Sequence, residues 1–177
     1  KNSYNTIMLS EILFFLIHSV IWLIIESMMT NSLKKHSSKL SRKAQVIVMA
    51  FEYGCWWVLL LQVNKKRGEF WQNVTGSIED DESFEAGAKR ELWEETQLQA
   101  EYFVALDFEC HFQNRHDRTV YEKAFLAAFK SPQQVSISDE HQNFYWKKIE
   151  LVQKQDFGHA SNYEAFLKAT KVLNNID

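Results

Sequence analysis

Glu91, Glu94 and Glu95 fall within five consecutive positions of a segment whose apolar residues repeat at helical spacing. On a helix, Glu91 and Glu95 lie one turn apart and face the same way, and Glu94 flanks that face. Like charges so placed destabilise a helix by roughly 0.2–0.5 kcal/mol per pair unless something positive sits among them. A hard divalent cation fits, because Mg2+ prefers carboxylate oxygens together with substrate phosphates. The flanking residues narrow the local fold. Phe84, Ala88 and Leu92 give a helix over 84–96 its core face. Ser83 is placed to cap its N-terminus, and Gly76 with the acidic turn Glu79–Glu82 leads into it. Gly87, Glu91 and Glu95 form a second line, where Gly87 gives up helix stability for close approach. The pattern points to a metal site for phosphate chemistry.

These residues resemble the signature of the Nudix hydrolases, G-x5-E-x7-R-E-U-x-E-E-x-G-U, where U is bulky and apolar. Gly76, Glu82, Arg90, Glu91, Leu92, Glu94, Glu95 and Leu98 stand in register, and Gln97 replaces the last glycine. That glycine ends the helix in a left-handed conformation, which costs another residue roughly 1 kcal/mol. The departure bears on the helix end and not on the carboxylates. A solvated helix face would account for any single glutamate, but not for Gly76, Glu82 and Arg90 in register with the set. The resemblance implies an α/β fold, the Nudix-type α/β/α sandwich around a mixed sheet. It implies a hydrolase of phosphoric anhydride bonds that uses Mg2+, with Mn2+ as a substitute. By the same resemblance the metal ligands are Glu91, Glu94, Glu95 and the backbone carbonyl of Gly76. Arg90 orients the glutamates through ion pairs, and Glu82 supports the loop or an outer metal.

Further resemblance lies outside this box. Glu140-His141-x4-Trp146 is similar to an E-H-x4-W segment of one Nudix branch, which implies that Glu140 approaches the same metals as ligand or general base. Catalytic roles therefore fall to Glu140, Glu94 and Arg90, while His141 is expected to be structural. The run Phe70 to Glu79, FWQNVTGSIE, resembles a branch that hydrolyses dihydroneopterin triphosphate in folate synthesis and also takes dATP. Arg118 to Phe125 and the pair Ser161-Asn162 follow that branch in order. The resemblance implies that Thr75 and Ser161 lie near the substrate. Trp71 and Phe144 are candidates to stack on a flat ring, although core packing is the commoner fate of such residues. The basic residue that the branch carries after its second strand is not placed, because Asn64 to Arg67 reads as an insertion.

The rest of the chain supplies a sheet. Apolar runs over 45–51 and 56–63 read as strands, followed by an extended segment at 70–75, a strand pair at 102–112 and 121–129, a strand at 144–149 and a terminal helix over 161–173. Strands mixed with two helices imply α/β layering. The chain has 177 residues, enough for one domain with a sizeable core. We expect an apolar segment over 1–28 outside the domain, a basic linker over 29–43, and the Nudix domain over 44–177. Net charge of −3 offers no general basic surface for nucleic acid, so the expected partner is a small-molecule nucleoside or pterin polyphosphate. Cys55 and Cys110 have no metal-binding spacing and suit a reducing, cytoplasmic setting. The apolar segment reads as accessory or upstream sequence, with Met28 and Met29 as starts. Its alternative is a membrane anchor that leaves the catalytic part in the cytoplasm, held there by the basic cluster. Two further functions stay open: a hydrolase of dinucleoside polyphosphates or nucleotide sugars, and a non-catalytic nucleotide-binding module. The second usually has eroded glutamates, and here all are present.

Overall fold

A long apolar run cannot sit on a half-exposed sheet, and Ala44 to Ala50, apolar but for Gln45, is buried at every position. This run is the middle of strand β1 (Ser41–Glu52). The computed structural model describes residues 20–27 and 40–173. They divide after Lys39 into two units. In the first, 20–27 is helical and exposes Val20 to Ile25. Among the described residues, no helix is long and apolar enough to cross a membrane. The expectations for 1–19 and 28–39 lie outside the described residues.

In the second unit β1 turns into β2 (Cys55–Val63) through Tyr53 and Gly54, both at positive φ, which is the two-residue hairpin that matches strand twist. β3 (Trp71–Gln72), β4 (Val74–Ser77), helix α1 (Phe84–Thr96), β5 (Tyr102–Gln113), β6 (Thr119–Phe129), β7 (His141–Lys148) and helix α2 (Ala160–Leu173) follow. The seven strands form one mixed sheet, with β3-β2-β1-β6-β5 in order and with β4 paired to β1 and β7 to β2 off that path. β1 runs parallel to β6 over ten residue pairs. It pairs antiparallel with β2 only through Met49–Glu52, and with β4 through Lys43–Val46. β2 in turn pairs with β3 at Leu61–Gln62 and with β7 on its other edge. The hairpin strands therefore diverge beyond Met49, and β3 and β4 fill the gap. This divergence presents Asn73, Thr75 and Gly76 at the site described below.

The two faces of β1 feed two cores. Ala44, Val46, Val48 and Ala50 pack with Ala88 and Leu92 of α1. Ile47 and Met49 pack with Ala165, Phe166 and Ala169 of α2. This is the α/β/α sandwich. The period of two along the strand, set against the 3.6-residue stripe on each helix, produces both layers.

Several boundaries shift from expectation. The domain begins before residue 44. Arg42 and Lys43 belong to β1, paired with Tyr121 and Glu122, and are not linker. Arg42 reaches the carbonyls of Glu79 and Glu82 and lies 4.6 Å over the Phe84 ring. Its charge is thus satisfied by the turn before α1, which a reading of charge as solvated linker misses. β7 starts at His141, so Glu140 stands immediately before it. α2 starts at Ala160, which puts Ser161 and Asn162 in its first turn and not ahead of it.

α1 ends where the family pattern places its glycine. Gln97 takes the left-handed conformation, φ 60° and ψ 22°, with its backbone N–H on the carbonyl of Trp93 and its side-chain amide donating to the same oxygen. Those bonds hold the turn without removing the cost of a Cβ there. A Gln97→Gly variant should be more stable by about 0.5–1 kcal/mol in urea unfolding; an unchanged midpoint would show that the two bonds to Trp93 offset the strain.

Candidate active site

The carboxylates are held by one guanidinium. Arg90 forks onto Glu82, with Nη2 at 2.6 Å from Oε1 and Nε at 3.3 Å from Oε2. Its Nη1 donates to Glu91 Oε1 and Glu94 Oε2, both at 2.9 Å, and Nη2 also donates to the carbonyl of Ser77 at 2.8 Å. Glu82 accepts the backbone N–H of Glu79 as well, which fixes the acidic turn. Ser83 accepts the N–H of Ala86 and caps α1. These bonds hold the Glu82 carboxyl below its usual range, and Arg90 above its own. Every nitrogen of Arg90 is engaged in these bonds.

Two glycines permit this packing. A Cβ on Gly76 would fall inside the Glu91 carboxylate. A Cβ on Gly87 would stand 2.5 Å from Ile78 and 2.6 Å from Glu82 Oε1. The first brings the end of β4 against α1, and the second brings the acidic turn against it.

Glu95 has no such partner. It is buried, and its Oε2 accepts the backbone N–H of Thr75 at 3.3 Å. His141 Nε2 lies 3.9 Å from the same oxygen and has no hydrogen-bond partner. Burial, and then the charge of Glu91, pushes the Glu95 carboxyl well above the ordinary carboxylate range. Burial also raises Glu91 against the pull of Arg90, with Glu94 and Glu140 adding to the rise. Burial lowers His141, so the imidazole is neutral and supplies no compensating charge. Glu140 is half-exposed and pairs with Arg67 at 2.5 Å. That guanidinium stands in a short 3-10 turn over Lys65–Arg67.

Among the described residues, no three His, Cys, Asp or Glu side chains are already gathered around a common point for a metal ion. The donor set nevertheless suits one. Glu91 and Glu94 each give one oxygen to Arg90 and keep the other. Glu95 carries buried, uncompensated negative potential beside them. All the donors are hard oxygens, as Mg2+ requires.

Beside this group opens a cleft of about 830 Å3, on the α2 face of the sheet. Thr75 and Ser161 line it, together with Lys43, Arg67, Arg115 and Glu122. Trp71 does not. It packs into the α2-side core, edge-on to Tyr145 at 4.5 Å, while its neighbour Gln72 reaches the cleft. Phe144 likewise packs against the α1-side core. Neither is placed to stack on a ligand in the cleft.

Residues 39–168 match the model for the NUDIX domain. The chain belongs to the Nudix family. It is 31% identical to the dihydroneopterin triphosphate diphosphatase of Haemophilus influenzae, over 58% of this chain and 75% of that protein. The fold is shared with an Ap4A hydrolase from C. elegans, solved as a binary complex, with a TM-score of 0.66 at 22% identity, covering 77% of this chain and 100% of that one. It is also shared with the E. coli dihydroneopterin triphosphate pyrophosphohydrolase, with a TM-score of 0.63 at 24% identity, covering 75% and 95%. This Nudix protein is therefore a hydrolase of phosphoric anhydride bonds.

The sequence missed several cleft residues of this Nudix hydrolase. Lys43 was assigned to a linker, and Glu122 lay inside the Arg118–Phe125 resemblance with no role given to it. Gln45 did carry a signal: it is the polar residue of a buried apolar run. Cys110 also lines the cleft, and burial followed by the Glu122 carboxylate pushes its thiol up to about 12. In a short iodoacetamide pulse at pH 8, Cys110 should be alkylated at least about a hundredfold more slowly than an ordinary exposed thiol. Prompt labelling, read by peptide mass spectrometry, would contradict the buried acidic setting given to it.

Proposed function

We propose that this Nudix hydrolase cleaves a nucleoside or pterin triphosphate, of the dihydroneopterin triphosphate or dATP kind, to a monophosphate and diphosphate. The observation that carries the proposal is Glu95, buried beside the half-buried Glu91 with no hydrogen bond from a cationic side chain, next to a cleft lined by Lys43 and Arg67. A buried carboxylate beside another is costly unless a cation joins it. The relative from Haemophilus influenzae supports the substrate class.

Glu91, Glu94, Glu95, the Gly76 carbonyl and Glu140 would hold Mg2+, or Mn2+ in its place. When bound, the ion offsets the charge of the anhydride oxygens and eases deprotonation of the attacking water. The chain's own residues do the rest. Arg90 keeps Glu91 and Glu94 at fixed positions, so little rearrangement is left for the reaction. Thr75 holds Glu95 through its N–H. Glu140, at the mouth of the site against Arg67, accepts the proton of the water. The water oxygen bonds to the phosphorus nearest the organic group, and the bond to the bridging oxygen breaks. Diphosphate leaves, and Lys43 and Arg67 are placed to meet its charge.

Glu95→Gln tests the site in two ways. Turnover with Mg2+ should fall by about a hundredfold or more while the fold is kept. The folded pKa of Glu95 is raised, so its contribution is favourable below the unfolded pKa and is lost as pH rises through the folded one. Metal-free Glu95→Gln should therefore melt above the parent at pH 8, with the gap closing toward pH 4. Added Mg2+ should raise the parent's Tm and leave the variant's nearly unchanged. Equal turnover, or a parent that ignores Mg2+, would remove the metal assignment. A panel of dihydroneopterin triphosphate, dATP and diadenosine polyphosphates separates the substrate classes: diphosphate released from the triphosphates supports the proposal, and cleavage of only the dinucleotides refutes it.

A further inference from the structure

The cleft has a floor that the Nudix carboxylates do not use. Glu122 lines it, yet is 3% exposed. β6 sets Glu122 beside Lys43 of β1 on one side and Cys110 of β5 on the other. Further along the same face of β6, Ala124, Leu126 and Ala128 build the α2-side core. A carboxylate continues this apolar row, and burial of that kind costs several kcal/mol unless the charge is met.

Glu122 cannot turn away, because a relay of amides holds it. The backbone carbonyl of Asn162 accepts from Asn73 Nδ2 at 3.0 Å, and the same Nδ2 donates to Gln45 Oε1 at 3.0 Å. The Asn73 N–H is in turn fixed by Asn162 Oδ1 at 3.1 Å. A main-chain carbonyl thus sets the orientation of Asn73, and Asn73 sets that of Gln45. The Gln45 NH2 is left facing Glu122, donating to Oε1 at 2.8 Å. Cys110 Sγ approaches the same oxygen at 3.7 Å. Oε1 is therefore fixed as an acceptor, and Oε2 is left for the cleft. Burial raises the carboxyl, while Lys43 and the two donors work to keep it ionised. The relay joins β1, the β3–β4 junction and the first turn of α2, so the floor is rigid before any ligand arrives.

Thr75 lines the same cleft and holds Glu95, so an anhydride at the carboxylates directs its organic group into the cleft. We propose that Glu122 selects the ring of that group, accepting hydrogen bonds from two adjacent donors, a ring N–H and an exocyclic NH2. This 2-amino-4-oxopyrimidine edge is common to pterins and guanine. Adenine and cytosine present an acceptor beside a donor, and thymine a donor between two carbonyls, so none of them offers two neighbouring donors. An ionised carboxylate has acceptor capacity to spare for both, even with Gln45 on Oε1. Phe70 and His159, in edge contact at 4.7 Å, supply apolar and aromatic wall nearby. The inference rests on the triphosphate-cleaving activity and deepens it.

The test is the selectivity ratio. The parent should turn over dGTP and dihydroneopterin triphosphate with higher kcat/KM than dATP. Glu122→Gln, close to isosteric, replaces an acceptor by a donor. It should cut the dGTP-to-dATP ratio roughly ten- to a hundredfold, the worth of one bidentate contact. Its kcat/KM for dATP should fall by a smaller factor than that for dGTP. Both substrates are read in one preparation, so the ratio does not depend on how much of the variant folds. An unchanged ratio, or equal losses on both substrates, overturns the proposal. Calorimetric titration with dGMP and dAMP separates ring selection from hydrolysis. Tighter dGMP binding that Glu122→Gln abolishes upholds the assignment even in a protein that cleaves no triphosphate. Equal affinities in the parent refute it.

Discussion

One guanidinium organises the acidic side of this molecule. Arg90 binds Glu82, Glu91, Glu94 and the carbonyl of Ser77, and so joins α1 to the turn before it and to the end of β4. Without it, three carboxylates and the nearby Glu95 would repel one another across a single helix face. With it, the charge of Glu82 is met, while Glu91 stays raised by burial and by its acidic neighbours, and burial and Glu91 leave Glu95 strained toward the protonated form. The fold thus satisfies the outer charges and leaves the inner ones short of a cation. That shortfall is what the proposed metal would meet.

The sheet makes the arrangement accessible. Because β1 and β2 part after a short hairpin, β3 and β4 enter between them and present Thr75 and Gly76 to α1. On the opposite face the same divergence opens the cleft, whose floor is Glu122 and whose rim carries Lys43 and Arg67. Thr75 belongs to both faces: its N–H holds Glu95 and its side lines the cleft. Acidic and basic groups are thereby set next to each other, with Arg67 paired to Glu140.

How much of this was legible in the sequence depended on whether the signal was local. α1 could be read to its last residue, because Ser83, the Phe84-Ala88-Leu92 stripe and the glutamates all lie within one helix. Gly76 and Gly87 could be suspected, and the structure shows the side chains that require them. Arg42 and Lys43 could not be placed, since charge at the start of a strand looks like charge in a linker until the partner strands are known. Trp71 was drawn to the ligand by its aromatic ring, but its packing against Tyr145 in the α2-side core shows only once the strands are paired. Glu122 and Gln45 meet across 77 positions of sequence, and only the parallel pairing of β1 with β6 brings them together.

The central claim is that the carboxylates of α1 are short of one divalent cation, and crystals soaked in Mn2+ test it most directly through anomalous diffraction. The account predicts a strong peak bounded by Glu91, Glu94 and Glu95 and near the Gly76 carbonyl. A map with no peak there, or with manganese only elsewhere on the surface, would contradict it.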